Sequence, residues 1–135
     1  MSIEVFIDAN LNQAAYITTN GLVKLTKLSE TDINKAEFSA LLIVLKAMWD
    51  FTRELTIYTD STVLCKQING EKHHKQLEQQ CNEAIERIKT YTICNIKWVS
   101  RNKNLAGMLL DNKQVVLNNH PLAETIRTKH IRHYK

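Results

Sequence analysis

Three acids in this 135-residue chain stand where the sequence changes its periodicity. Asp8 closes the run Ile3-Glu4-Val5-Phe6-Ile7, and Asp60 closes Leu55-Thr56-Ile57-Tyr58-Thr59. Both runs are rich in β-branched and aromatic residues and read as sheet strands. Glu37 lies early in a stretch whose apolar residues recur at helical spacing. An acid where a strand gives way to a helix lies at the carboxyl edge of a sheet, where open α/β folds hold their ligands. Carboxylates gathered in a site of reduced dielectric repel one another, and cations neutralise them. Hard oxygen ligands favour Mg²⁺ or Mn²⁺ over Zn²⁺. Two such ions about 4 Å apart can activate a water and stabilise the leaving oxygen of a phosphodiester. Each acid alone also has an ordinary explanation: Asp60 or Ser61 caps the helix that follows, and Glu37 is favoured by a helix dipole.

The elements that would position these acids can be read in order. Residues 3–8 suit a central strand, and 14–19 form a second. Asn20-Gly21 between β-rich runs is a strong hairpin signal, making 22–28 a third, antiparallel strand. Thr31 or Asp32 can cap a helix over 33–51 with Leu41, Val44, Leu45, Met48 and Trp49 on its apolar side. Strand 55–60 and a helix from Thr62 follow, and Asn69-Gly70 ends that helix. A polar joint containing His73 and His74 leads to a helix over 76–89, a strand over 93–99, a basic loop over 100–104 and a helix over 105–117. The order β-β-β-α-β-α-α-β-α predicts an α/β fold, a mixed five-stranded sheet flanked by helices. Its first and fourth strands would be parallel neighbours through a right-handed crossover. Asp8 and Asp60 then share one sheet edge, and Glu37 on the crossing helix can reach them.

Composition sets the outer bounds. The length fits one domain, read as residues 1–120, with 121–135 as a basic C-terminal tail that is helical or disordered. Cys65, Cys81 and Cys94 lack CxxC spacing and read as reduced, buried thiols of a cytoplasmic protein. The longest apolar run, Ala40 to Ala47, is too short for a bilayer span, and Ser2-Ile3-Glu4-Val5 shows no basic segment followed by an apolar one, so no secretory signal is expected. A net charge of +4 permits contact with nucleic acid without requiring it. The expected state is a monomer with no membrane association. Trp49 and Trp98 are expected in the core. His73 and His74 read as a solvated linker, and His130 and His133 are spaced for a helix face but lack a third ligand.

Four segments carry a resemblance to a known family. They are Val5-Phe6-Ile7-Asp8, Lys35-Ala36-Glu37-Phe38-Ser39-Ala40-Leu41, Ile57-Tyr58-Thr59-Asp60-Ser61, and Ile96-Lys97-Trp98-Val99-Ser100-Arg101-Asn102-Lys103-Asn104. In these the chain resembles the type 1 ribonuclease H family, particularly its compact reverse-transcriptase-like branch, to about residue 112. The resemblance implies metal-dependent endonucleolytic hydrolysis of the RNA strand of an RNA–DNA hybrid. Two Mg²⁺ (or Mn²⁺) ions would be held by an Asp-Glu-Asp-Asp set, of which Asp8, Glu37 and Asp60 match the first three.

The fourth position departs from that pattern. The family has an Ala-Asp pair where the last helix begins, whereas this chain reads Asn104-Leu105-Ala106-Gly107-Met108-Leu109-Leu110-Asp111. Aligning on Ala106 puts Gly107 at the acid's place, counting from Arg101 puts Met108 there, and neither side chain ligates a metal. Asp111, one turn beyond Gly107 and about 6 Å along the axis, is the candidate substitute. The glycine-rich first turn of the family is replaced by Asn10-Leu11-Asn12-Gln13, and the loop before the last helix lacks the family's histidine. Asn10, Asn12 and Gln13 can still donate to phosphates or 2′-hydroxyls. With Ser61, Arg101, Lys103 and Asn104 they form the expected nucleic-acid contacts. An incomplete acidic set leaves two readings open besides weak hydrolysis: a catalytically inactive nucleic-acid-binding module, and a protein-interaction scaffold on the same frame.

Overall fold

The computed structural model describes residues 2–111. The last helix beyond Asp111, the basic tail and its histidines lie outside the described residues. Within them the order is β1 (Ser2–Ala9), β2 (Gln13–Thr18), β3 (Val23–Lys27), α1 (Ile33–Met48), β4 (Glu54–Thr59), α2 (Thr62–Ile68), α3 (Glu78–Ile88), β5 (Ile93–Trp98) and α4 (Leu105–Leu110). The five strands form one sheet in the order β3-β2-β1-β4-β5. β1 pairs antiparallel with β2 and parallel with β4, and β4 pairs parallel with β5. This is the mixed sheet that the element order predicts.

β1 is central because both of its faces are apolar. Ile3, Val5 and Ile7 turn to one side and join Phe38, Leu41, Val44, Leu45 and Met48 of α1 in the main core. Phe6 turns to the other side, where it packs with Ala15, Ile17 and α4 residues Leu105, Ala106 and Leu109 in a second, smaller core. Phe6 also stacks on Tyr58 of β4 with ring centroids 4.9 Å apart. α1, α2 and α3 therefore share one face of the sheet and α4 covers the other. Each fully buried aliphatic side chain contributes about 1.5–3 kcal/mol of burial.

Local signals set the element ends. Gly21 takes a φ of 106° in the turn joining β2 to β3, a conformation that costs other residues a steric clash. Asp32 caps α1 by accepting from the amides of Asn34 and Lys35 at 2.8 and 3.1 Å. α2 closes at Gly70 with φ 74°, where the Glu71 amide donates to Lys66 O and the Gly70 amide to Gln67 O. That pair of bonds satisfies carbonyls the helix end would otherwise leave open. The Tyr91 hydroxyl, donating to Leu45 O at 2.5 Å, fastens the segment after α3 to α1.

Both tryptophans lie elsewhere than expected. Trp49 caps the C-terminal end of α1, is 43% exposed and carries the Arg53 guanidinium on its ring. Trp98 is 53% exposed at the end of β5, the edge strand of the described sheet, so alternation along β5 does not imply burial. Cys65 and Cys81 are buried free thiols, and Cys94 is half-buried. No described helix is long and apolar enough to cross a membrane.

Candidate metal and nucleic-acid site

Asp8 is the second-last residue of β1, and β1 pairs with β4 in a register that sets Phe6 beside Tyr58. Two residues further along each strand, Asp8 and Asp60 reach the same end of the sheet. Ser61 takes the capping role for α2 by accepting from the Leu64 amide at 3.1 Å, which leaves the Asp60 carboxylate for other partners. The Trp98 indole donates to Asp60 O at 3.2 Å and holds the β4 end against β5. Glu37 enters from α1, and its Oε1 accepts from the Ala9 amide at 2.8 Å, directly past Asp8. One carboxylate oxygen from each of Asp8, Glu37 and Asp60 lies within 4.8 Å of the others.

Burial makes this grouping electrostatically tense. Asp8 and Glu37 are almost wholly covered. Burial, with the charge of Asp60 next, raises the Asp8 pKa, opposed by the Arg101 guanidinium and the Ala9 amide. Glu37 is pushed up to about 9, first by burial and then by the charges of Asp8 and Asp60. As a carboxylate, its Oε2 has no hydrogen-bond donor, and a proton placed there is shared towards Asp8. A buried acceptor without a donor carries a full desolvation cost, which a cation or a proton removes. The all-carboxylate donor set therefore fits a hard divalent ion.

The cation present on these acids is Arg101. It lies in a short 3-10 turn, Arg101–Lys103, between β5 and α4. Its Nη1 donates to Asp8 Oδ2 at 2.5 Å and to Asp60 Oδ2 at 3.0 Å, and its Nη2 reaches Asp111 Oδ2 at 3.4 Å. Burial opposes its charge, but the bonds to Asp8 and Asp60 outweigh that effect and move its pKa upward.

Gly107 faces the same point. A Cβ built on it would stand 3.0 Å from Arg101 Nη1, 3.2 Å from Arg101 Cζ and 3.2 Å from Asp8 Oδ2. Gly107, not Met108, thus faces the acids; Met108 packs on the second core. Asp111 is outside the acidic group and connects to it through Arg101.

Asn104 ties the site together. It is fully buried, and its Nδ2 donates to Ile7 O at 2.9 Å and to Asp60 Oδ2 at 3.0 Å. Its Oδ1 caps α4 by accepting from the Ala106 amide at 3.1 Å. With no exposed surface, Asn104 positions the site from inside and has no face to offer a nucleic acid, contrary to the sequence expectation. Burial of the α4 N-terminus against β1 is the reason.

The remaining expected contacts surround the acids. Asn10 Oδ1 accepts from the amides of Asn12 and Gln13 at 2.9 and 2.8 Å, so this side chain shapes the β1–β2 turn itself. Asn10 and Asn12 are exposed, Gln13 is half-buried, and Lys103 is exposed beyond Arg101. Sequence reasoning places Arg101 on a phosphate and misses its grip on the acids. The one sequence signal for it is the neutral residue at the fourth acid's place with an arginine in the preceding loop.

Comparison with known proteins agrees with this fold. A family model described as reverse transcriptase-like matches residues 14–113, a span that includes Glu37, Asp60 and Gly107 and begins after Asp8. Among solved structures, RNase H1 from the halophilic archaeon Halobacterium salinarum is 21% identical, with a TM-score of 0.69, over 83% of this chain and 99% of that one. The N-terminal RNase H domain of a Mycobacterium tuberculosis protein, solved as a fusion with maltose-binding protein, is 19% identical. It has a TM-score of 0.65 over 78% of this chain and 92% of that one. At these identities the likeness is one of fold.

Proposed function

We infer the function from one premise: the chain belongs to the reverse-transcriptase-like family, whose fold is that of ribonuclease H. The reading it supports best is a nucleic-acid-directed phosphodiesterase, cutting the RNA strand of an RNA–DNA hybrid with a divalent metal. The observation that carries it is the convergence of Asp8, Glu37 and Asp60 within 4.8 Å at the carboxyl end of β1 and β4.

Asp8, Glu37 and Asp60 would hold Mg²⁺ or Mn²⁺, and the bound ion supplies an acidified water and charge for the leaving oxygen. The chain's own residues do the rest. The Ala9 amide fixes one Glu37 oxygen and leaves the other for the site. Asn104 orients the Asp60 carboxylate while locking α4 onto β1. Asn10, Asn12 and Gln13 place polar groups on the turn beside Asp8, where 2′-hydroxyls and phosphates of a hybrid are met. Lys103 and the exposed part of Arg101 add positive charge in the loop before α4.

A specific observation favours a second reading, a binding module without turnover. Gly107 contributes no fourth carboxylate and Arg101 neutralises two of the three present. One experiment separates them: a labelled RNA–DNA hybrid is incubated with the protein across a Mg²⁺ and Mn²⁺ titration, beside Asp60→Asn. Metal-dependent cleavage that the variant loses supports hydrolysis. Hybrid binding that weakens steeply with salt, without cleavage, supports the module. Neither cleavage nor binding overturns both.

A further inference from the structure

We propose that Arg101 is a built-in competitor for the divalent ion, a guanidinium that occupies Asp8 and Asp60 and must leave before those carboxylates can ligate a metal. This rests on the reading of Asp8, Glu37 and Asp60 as metal ligands. Three independent features of the structure support it.

The first is the choice of atoms. Arg101 Nη1 donates to Oδ2 of both Asp8 and Asp60, two of the carboxylates that a divalent ion would share. A guanidinium and a divalent ion brought to the same two carboxylates repel one another, so each weakens the other's hold. The second is space. Gly107 stands where a side chain would crowd the guanidinium and Asp8: an added Cβ would lie 3.0 Å from Nη1, 3.2 Å from Cζ and 3.2 Å from Asp8 Oδ2. The missing fourth acid and the resident arginine are thus one arrangement, since the glycine makes room for the guanidinium. The third is a tether on the outer side. Asp111, one turn beyond Gly107 on α4, takes Nη2 at 3.4 Å. The same loop and helix that supply the competitor hold it in place. Arg101 remains 54% exposed, so it has a path out to solvent or to a phosphate.

Glu37 is the one member of the group that Arg101 does not reach, and its Oε2 has no donor. The guanidinium therefore neutralises Asp8 and Asp60 but gives the Glu37 Oε2 no partner. A divalent ion touching all three would compensate the set more fully, and Arg101 lowers its apparent affinity without abolishing it.

The test is metal affinity, read without reference to cleavage. Mn²⁺ is titrated into the protein and free ion followed by electron paramagnetic resonance, with Mg²⁺ binding followed by calorimetry. Arg101→Gln should bind Mn²⁺ at least about tenfold tighter than the natural chain, as releasing one charged hydrogen-bonded partner gives. Gly107→Ala changes no charge and should tighten binding by less than Arg101→Gln, because its methyl shifts the guanidinium tip by only a few tenths of an ångström. In the unmodified protein, the slowly exchanging guanidinium protons of Arg101 seen by nuclear magnetic resonance in chelator should be lost at saturating Mg²⁺. If both variants bind as the natural chain does while Asp60→Asn binds nothing, the acids are ligands and the competition is refuted. If no form binds either ion, the metal reading falls and the competition with it. Persistence of the protected Arg101 protons at saturating Mg²⁺ also overturns it.

Discussion

Replacing Asn104 by alanine should unfold this protein far more easily than an ordinary loop substitution would. Three hydrogen bonds end on that side chain, and they join β1, β4 and α4. Loss of the α4 cap costs about 1 kcal/mol. Removal of Nδ2 takes a donor from the buried Ile7 carbonyl, just past the last β1–β4 register pair, at about 1–3 kcal/mol. Together these predict roughly 2–4 kcal/mol, or a fall in Tm of roughly 10–15 °C for a domain of this size. Urea unfolding followed by circular dichroism measures it, with an unchanged denaturant slope marking a pure stability effect. Asn104→Asp sharpens the test, since it keeps the capping oxygen but sets an acceptor against Ile7 O and a like charge beside Asp60. It should be at least as destabilising at neutral pH and recover as the solution is acidified. A stability within about 0.5 kcal/mol of the natural chain for Asn104→Ala would refute the reasoning, because that is the range of a surface substitution.

Three further outcomes are expected. In chelator, stability should fall as pH rises from about 5 to about 8, because Glu37, pushed up to about 9, holds a proton that the unfolded chain releases near the ordinary carboxylate value. This contribution is complete below the unfolded pKa and is lost as pH climbs towards the folded one; thermal scans should show the slope shrinking in Glu37→Gln. Phe38→Ala in the fully buried centre of α1 should cost about 3–5 kcal/mol by the same urea assay. Burial pushes the Cys65 and Cys94 thiols up to about 11, so an aromatic disulfide reagent at about pH 8 should react slowly with the native chain and fully after denaturation.

Much of this architecture was legible because its signals are local. Asn20-Gly21, the Asp32 and Ser61 caps and the Gly70 helix end each follow from a few adjacent residues, and together they define the element order. From that order alone, parallel pairing of β1 with β4 brings Asp8 and Asp60 together and turns Glu37 towards them. What could not be read depends on the path of the chain in space. The partners of Arg101 are set by the 3-10 turn after β5, and a long flexible side chain leaves no periodic trace of its direction. Asn104 has the composition of a surface loop residue, and only the docking of α4 buries it. Trp98 sits in an alternating run that suits a covered strand, but strand order made β5 an edge. The choice between Gly107 and Met108 turned on where α4 begins, and a shift of one residue rotates a helix face by about 100°.

Among the described residues the strand order leaves two edges, β3 and β5, each a row of backbone groups that another chain could pair with. β3 is five residues long and carries Lys24 and Lys27, both exposed. β5 carries Lys97, and the exposed Trp98 at its end is held by its indole bond to Asp60 O. Addition of a second copy along β3 would set lysines of the two chains close together and desolvate them. Lys24 and Lys27, on the strand at the far side of β2 from the acids, thus disfavour edge-to-edge pairing, and substitutions such as Lys24→Val should show their effect in solubility before they show it in stability.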